Sequence, residues 1–218
     1  MQVTKRNGET EDFSVEKIHK AVLCATNGLT GVSFSDIEMN ANLSLYDDIN
    51  TSEIHQILIK SASDLISKSA PNYQYAAARL LNMQLRKDVW GCDKPTDFLI
   101  FLERNVDNGI YDPLILDKWD NNTIEVFGNY INHSRDNSFT YAGLQQLIDK
   151  YLVKNRSSGN IYETPQFAYM AIAMCLFDNV DDVKEAYDCY STFKINLPTP
   201  IMADATARKT CNIALIAK

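Results

Sequence analysis

The sequence predicts a mainly α-helical chain that opens on a small β-hairpin. Two observations carry this reading. An Asn-Gly pair at residues 7–8 separates two short strand-like segments, and from Val15 onward apolar residues recur at helical spacing between caps, glycines and prolines. The 218 residues suffice for one or two domains, and a hydrophobic content of 45% suffices for a buried core.

Val3, Thr4 and Lys5 form the first strand, Arg6 to Glu9 the turn, and Glu11 to Phe13 the return. Asn-Gly suits that turn because it tolerates the positive φ angles a tight hairpin requires. Ser14 is placed to cap a helix over about Val15 to Thr26, where Val15, Ile18 and Val22 share a face and Gly28 marks the end. Ser35 and Glu38 form a capping box for a second helix. Thr51-Ser52 caps a third, in which Ile54, Ile57, Leu58, Ala62 and Leu65 share a face. After Pro71 a fourth helix runs from about Tyr73 to Val89, and Gly91 to Pro95 marks a domain boundary.

From Thr96 the chain is again helical. Phe98, Leu99 and Leu102 suggest one helix, Asp112-Pro113 a turn, and the segment 139–152 places Leu144, Leu147, Ile148 and Tyr151 on one side. The NRSSGN cluster at 155–160 is a turn joining two short strands near 151–154 and 160–163. Pro165 opens an apolar helix at the first helical position, where its missing N–H costs nothing. The apolar run Phe167–Phe177 has 11 residues. A bilayer span needs about 20, so the run reads as a buried helix. The charged run Asp178 to Glu185 reads as a solvated loop and helix start.

The net charge of −7 argues against a nucleic-acid-binding protein. The five cysteines (Cys24, Cys92, Cys175, Cys189, Cys211) make no CxxC pair and have no histidine at ligand spacing. They read as reduced, mostly buried thiols of a cytoplasmic protein that holds no metal. No signal or transit peptide is evident, and neither a membrane nor a nucleic acid is expected as partner.

The cations Lys5, Arg6 and Lys17 gather where the hairpin meets the first helix. A helix N-terminus with nearby cations suits a polyphosphate. On spacing alone, a surface hairpin with solvated charges accounts for the same pattern. The motif Leu197-Pro-Thr-Pro-Ile-Met202 sets Thr199 between two prolines, which suits either a rigid connecting loop or a hydroxyl presented to a substrate.

Val3-Thr-Lys-Arg-Asn-Gly followed by Phe13-Ser-Val-Glu-Lys-Ile-His19 resembles the opening of an ATP-cone, the regulatory nucleotide-binding domain of many ribonucleotide reductase large subunits. The likeness continues through Tyr46–His55, Pro71–Arg79, Leu85–Lys87, Arg135–Tyr141, Lys150–Val153, Ile161–Phe167 and Leu197–Met202. It covers roughly residues 1–202, and its order and spacing resemble class I large subunits of T4-type phages and enterobacteria.

The resemblance implies an ATP-cone over 1–91, a four-helix bundle capped by a small β-sheet, and an all-helical N-terminal reductase domain over 92–202. A divergent tail over 203–218 would follow, with the catalytic barrel largely absent. It further implies an allosteric ATP or dATP site. Lys5 and Arg6 lie at the phosphates, and Glu11, Asp12, Phe13, Ser14, Val15, Glu16 and Lys17 wrap the nucleotide. Thr51 and His55 stand near the base, and Lys87 is a second phosphate cation. Mg²⁺ would accompany the nucleotide.

Thr199 is the implied substrate contact. Cys211 lies where a redox cysteine is sought, but its spacing does not match, so no catalytic residue is assigned. The implied partners are a second large-subunit fragment carrying the barrel, a small radical-generating subunit that holds the radical cofactor, and thioredoxin or glutaredoxin. The chain is expected to be a naturally split T4-like subunit in the host cytoplasm, inactive alone. A stand-alone ATP-binding regulatory module is the rival reading, and the Pro-Thr-Pro motif argues against it because a regulator needs no substrate loop.

Overall fold

The computed structural model describes residues 2–6, 8–42, 44–92, 94–155 and 157–204. The chain divides into two compact units, one of residues 1–84 with 137–145 and one of 85–136 with 146–218.

The first unit begins with β1 (Gln2–Thr4) and β2 (Thr10–Asp12), paired antiparallel with Val3 opposite Glu11. The strands are one residue shorter at Lys5 and Phe13 than expected. The Lys5 N–H already turns to the Glu9 carbonyl at 2.7 Å, and Gly8 closes the turn at φ +84°. A third strand, β3 (Ile49–Asn50), pairs parallel with β1 and completes the order β2-β1-β3. Two residues are too few to show a period of two, so this strand left no mark in the pattern.

Helix α1 (Val15–Thr26) starts at Ser14, whose hydroxyl accepts the Lys17 N–H at 3.4 Å. Val22 and Ala25 are buried, but Val15 is 66% exposed. It sits in the first turn, before the helix reaches the core, so the face expected from Val15, Ile18 and Val22 is buried only from Ile18 onward. Helix α2 (Phe34–Asn42) is capped by Ser33, whose hydroxyl accepts the Asp36 N–H at 3.2 Å. The expected box of Ser35 and Glu38 is therefore replaced two residues earlier, and Glu38 instead pairs with His19 at 2.8 Å.

Helix α3 (Thr51–Asp64) follows β3 directly. Its cap is Asn50 rather than Thr51-Ser52, because the Glu53 carboxylate accepts the Asn50 N–H at 3.2 Å and so fixes the start one residue upstream. Helix α4 (Tyr73–Trp90) begins in this unit. Its Arg79 guanidinium donates to the Ala25 and Asn27 carbonyls at 3.1 and 2.7 Å, closing the C-terminal end of α1. Val3, Ile49, Val22, Ile37, Leu58 and Leu80 belong to one hydrophobic core, so sheet and helices bury a common face.

The second unit contains α5 (Phe98–Asp107), α6 (Leu114–Lys118), α7 (Asn121–Tyr130), α9 (Pro165–Leu176), α10 (Val180–Ser191) and α11 (Thr199–Asp204). A 3₁₀ turn (His133–Ser138) and α8 (Tyr141–Lys150) run across the division. Asp97, Asp120 and Asn179 cap α5, α7 and α10 through their side chains. Helix α9 is buried continuously from Pro165 to Met174, which is why its apolar residues show no single face. Phe167 stands among Phe98, Phe101, Trp90 and His133, with ring centroids 4.6–5.7 Å away.

The two strands expected around the 155–160 turn reduce to one bridge, Lys154 to Ile161, because Asn155 and Gly159 close the loop locally. Beyond Pro198, Thr199 opens a helical turn rather than lying in an extended loop. The Ile201 and Met202 N–H groups donate to the Pro198 carbonyl at 3.0 and 3.1 Å. Of the four cysteines among the described residues none is buried: Cys24 and Cys92 are exposed, and Cys175 and Cys189 are half-buried. Cys24, Cys175 and Cys189 lie in the last turns of α1, α9 and α10. No helix among the described residues is long and apolar enough to cross a membrane.

Candidate functional site

The parallel pairing of β1 with β3 positions the first unit's charged cluster. Thr4 stands opposite Asn50, so Lys5 and Thr51 leave the sheet side by side at the same end. His55 follows Thr51 one turn later on α3, and both are half-buried. On the other flank, Glu11 stands opposite the buried Val3, and Ser14 brings the start of α1 back toward it.

Glu11 is the hub of this cluster. Its Oε1 lies 2.7 Å from Lys17 Nζ and its Oε2 3.4 Å from Lys5 Nζ, and Lys5 also meets Glu9 at 3.5 Å. The Lys17 ammonium, then the Lys5 ammonium, hold the Glu11 carboxyl below the usual carboxylate range, and the Glu11 carboxylate raises Lys5 above the usual lysine value. Two ammonium groups gathered on one carboxylate beside a capped helix N-terminus fit the oxygens of a polyphosphate.

Arg6, Asp12, Val15 and Glu16 are exposed around this cluster, and Phe13 packs partly into the core. Lys87 lies half-buried in the last turn of α4, in the part of that helix that falls in the second unit. Glu9 is the residue sequence reasoning missed here. Its place one turn from Lys5 in a hairpin was the available signal.

In the second unit Thr199 is exposed at the start of α11, with its hydroxyl 3.2 Å from the Tyr151 hydroxyl. Cys211 and the rest of 205–218 lie outside the described residues. The same unit contains a buried polar network. Asp136, 1% exposed, accepts from Arg86 Nη2 at 3.0 Å and from Gln166 Nε2 at 2.9 Å. The Gln166 carbonyl accepts from the Tyr187 hydroxyl at 2.6 Å, which in turn accepts the Asn132 N–H. Glu163, equally buried, accepts from the Tyr111 hydroxyl and from the Val153 N–H at 2.7 Å. Desolvation pushes its pKa up to about 7. Among the described residues no group of three or more His, Cys, Asp or Glu side chains could hold a metal ion.

Comparison with known proteins gives this arrangement its class. Residues 1–88 match the ATP cone domain family, and residues 137–210 match the all-alpha domain of ribonucleotide reductase. Sheet and bundle thus fall within the ATP cone match, and part of the later helical region falls within the reductase all-alpha match. The ribonucleoside-diphosphate reductase 1 alpha subunits of Salmonella typhimurium and Escherichia coli K12 are 45% and 44% identical over 207 residues. These alignments cover 92% of this chain and 27% of each relative. The alpha subunit of Enterobacteria phage T4 is 42% identical over 208 residues, 93% of this chain and 28% of its own. The chain belongs to the ribonucleotide reductase large-subunit family and corresponds to its N-terminal region, spanning about a quarter of the length of these relatives.

Proposed function

We propose that this chain supplies the effector-sensing and N-terminal helical parts of a class I reductase that converts ribonucleoside diphosphates to deoxyribonucleoside diphosphates for DNA synthesis. The observation that carries the reading is the likeness to the reductase alpha subunits over 92% of the chain, which extends into both units. The match of 137–210 to the reductase all-alpha domain favours this over a stand-alone regulatory module.

In this reading residues 1–91 form the cone, 92–202 the helical domain, and 203–218 a segment that docks on the barrel-bearing part. ATP or dATP occupies the cone. Lys5, Arg6, Lys17 and Lys87 hold its phosphates, Glu11 to Glu16 frame it, and Thr51 and His55 meet the base. Mg²⁺ enters on the nucleotide. Thr199 presents its hydroxyl to the substrate, with Tyr151 holding it in place. Replacement of the ribose 2′-OH by hydrogen then takes place on a barrel-bearing chain, with a radical from the small subunit and two electrons from thioredoxin or glutaredoxin.

Reconstitution tests this. The chain mixed with a barrel-bearing fragment and a radical-generating subunit of a T4-type reductase is expected to yield deoxynucleoside diphosphate, and the yield is expected to respond to ATP. Turnover by the partners that is indifferent to this chain would contradict the proposal.

A further inference from the structure

In the first unit one carboxylate engages both lysines of the cluster. Each oxygen of one carboxylate is committed to one of them, Glu11 Oε1 to Lys17 and Oε2 to Lys5. Glu9 adds a second carboxylate on Lys5, so the formal charge of the four side chains is zero. A polyphosphate arriving here meets no net attraction from this group until the carboxylate gives way. The carboxylate is able to do so: it lies on an edge strand, it is a quarter exposed, and its hold on each lysine is a solvent-screened pair of the weak kind.

We propose that Glu11 is a built-in competitor for the effector phosphates, a specificity-determining residue that pairs with Lys5 and Lys17 and is displaced when a polyphosphate binds. The inference rests on the reading of this cluster as the effector site, and it gives Glu11 a role opposed to binding. The physical consequence is a threshold. A ligand must bring enough negative charge to outcompete one carboxylate on two ammonium groups at once. A triphosphate bridges both lysines, whereas a monophosphate reaches one and leaves Glu11 on the other. Glu11 therefore lowers affinity for every phosphate ligand while sharpening the preference for long ones.

The test is calorimetric titration of the full chain and its Glu11→Gln variant with ATP, AMP and inorganic tripolyphosphate at several salt concentrations. Glutamine keeps the size and the strand position and removes the charge. Glu185→Gln, an exposed change of the same charge in the other unit, is the control for net charge. The expected result is that Glu11→Gln binds ATP and tripolyphosphate about three- to tenfold more tightly, the range set by removing two exposed ion pairs. The gap between ATP and AMP narrows, and the affinity falls more steeply with salt because the cluster now carries net positive charge. Circular dichroism verifies that the variant is folded. Equal or weaker ATP binding by folded Glu11→Gln overturns the inference, as does an equal gain in Glu185→Gln. If the unmodified chain binds neither ATP nor tripolyphosphate, the effector-site reading itself fails, and that outcome is separate from any difference between variants.

Discussion

Two desolvated titratable groups of the second unit, the buried Glu163 and the half-buried His133, pull stability in opposite directions with pH, and removing one exposes the other. Glu163 has its pKa raised by burial from 4.5 to about 7. The folded state therefore binds this proton more tightly than the unfolded chain. Its contribution is fully present below pH 4.5 and is lost as the pH rises through 7. His133 is the reverse case. Burial, and then the nearby Arg86 cation, lower it from 6.5 to about 4. Its contribution is present above pH 6.5 and is lost as the pH falls through 4. At about 1.36 kcal/mol per pKa unit each group is worth on the order of 3 kcal/mol, with opposite slopes across the shared window.

The unmodified protein should thus show a nearly level profile between pH 4.5 and 6.5. Glu163→Gln should instead lose about 2–3 kcal/mol on acidification over that window, because only the histidine slope remains. Urea unfolding followed by tryptophan fluorescence reads this directly, since both tryptophans, Trp90 and Trp119, belong to the second unit. A Glu163→Gln profile parallel to that of the unmodified protein would refute the reasoning.

Other consequences follow from single contacts. Asp136→Ala strands the Arg86 and Gln166 side chains and should cost about 3–5 kcal/mol, read as a lower urea midpoint by the same fluorescence. An unchanged midpoint would mean water replaces the carboxylate. Arg79→Ala removes two bonds to carbonyls at the end of α1 and should cost about 1–3 kcal/mol, seen as a lower Tm by circular dichroism. Gly28→Ala meets open space but must hold φ at +72°, so a loss of about 1 kcal/mol is expected in the same melt, and a gain would show that the backbone relaxes.

Much of the first unit was legible because its signals are local. Ser14 caps α1 as its hydroxyl chemistry dictates, Gly28 ends that helix with a positive φ, and Gly8 closes the hairpin. Where two capping candidates lay close together, sequence could not choose. Ser33 prevailed over Ser35 and Asn50 over Thr51 because tertiary partners, His19 for Glu38 and β1 for β3, fixed the register. The strand β3 was invisible for the same reason: its two residues are strand only because β1 lies beside them.

The lysines of the candidate site could be found from spacing, but their pairing could not. That Glu11 serves both Lys5 and Lys17 depends on a cross-strand register and on the entry angle of α1. In the second unit the apolar α9 was evident from composition. The polar network through Asp136, Gln166 and Tyr187 was not, since its members lie 21 to 30 residues apart and look like ordinary surface residues in sequence. The motifs Arg135–Tyr141 and Ile161–Phe167 mark its two sides, and the structure gives them a physical reason in buried, mutually satisfied polar groups.

The central claim is that the hairpin and first helix form a nucleotide effector site within a reductase subunit, and calorimetric titration of the full chain with ATP tests it most directly. The account predicts saturable binding at one site per chain, weakened roughly tenfold or more by Lys5→Ala and by Lys17→Ala, the two cations gathered on Glu11. Absence of binding, or binding that both substitutions leave unchanged, would contradict it.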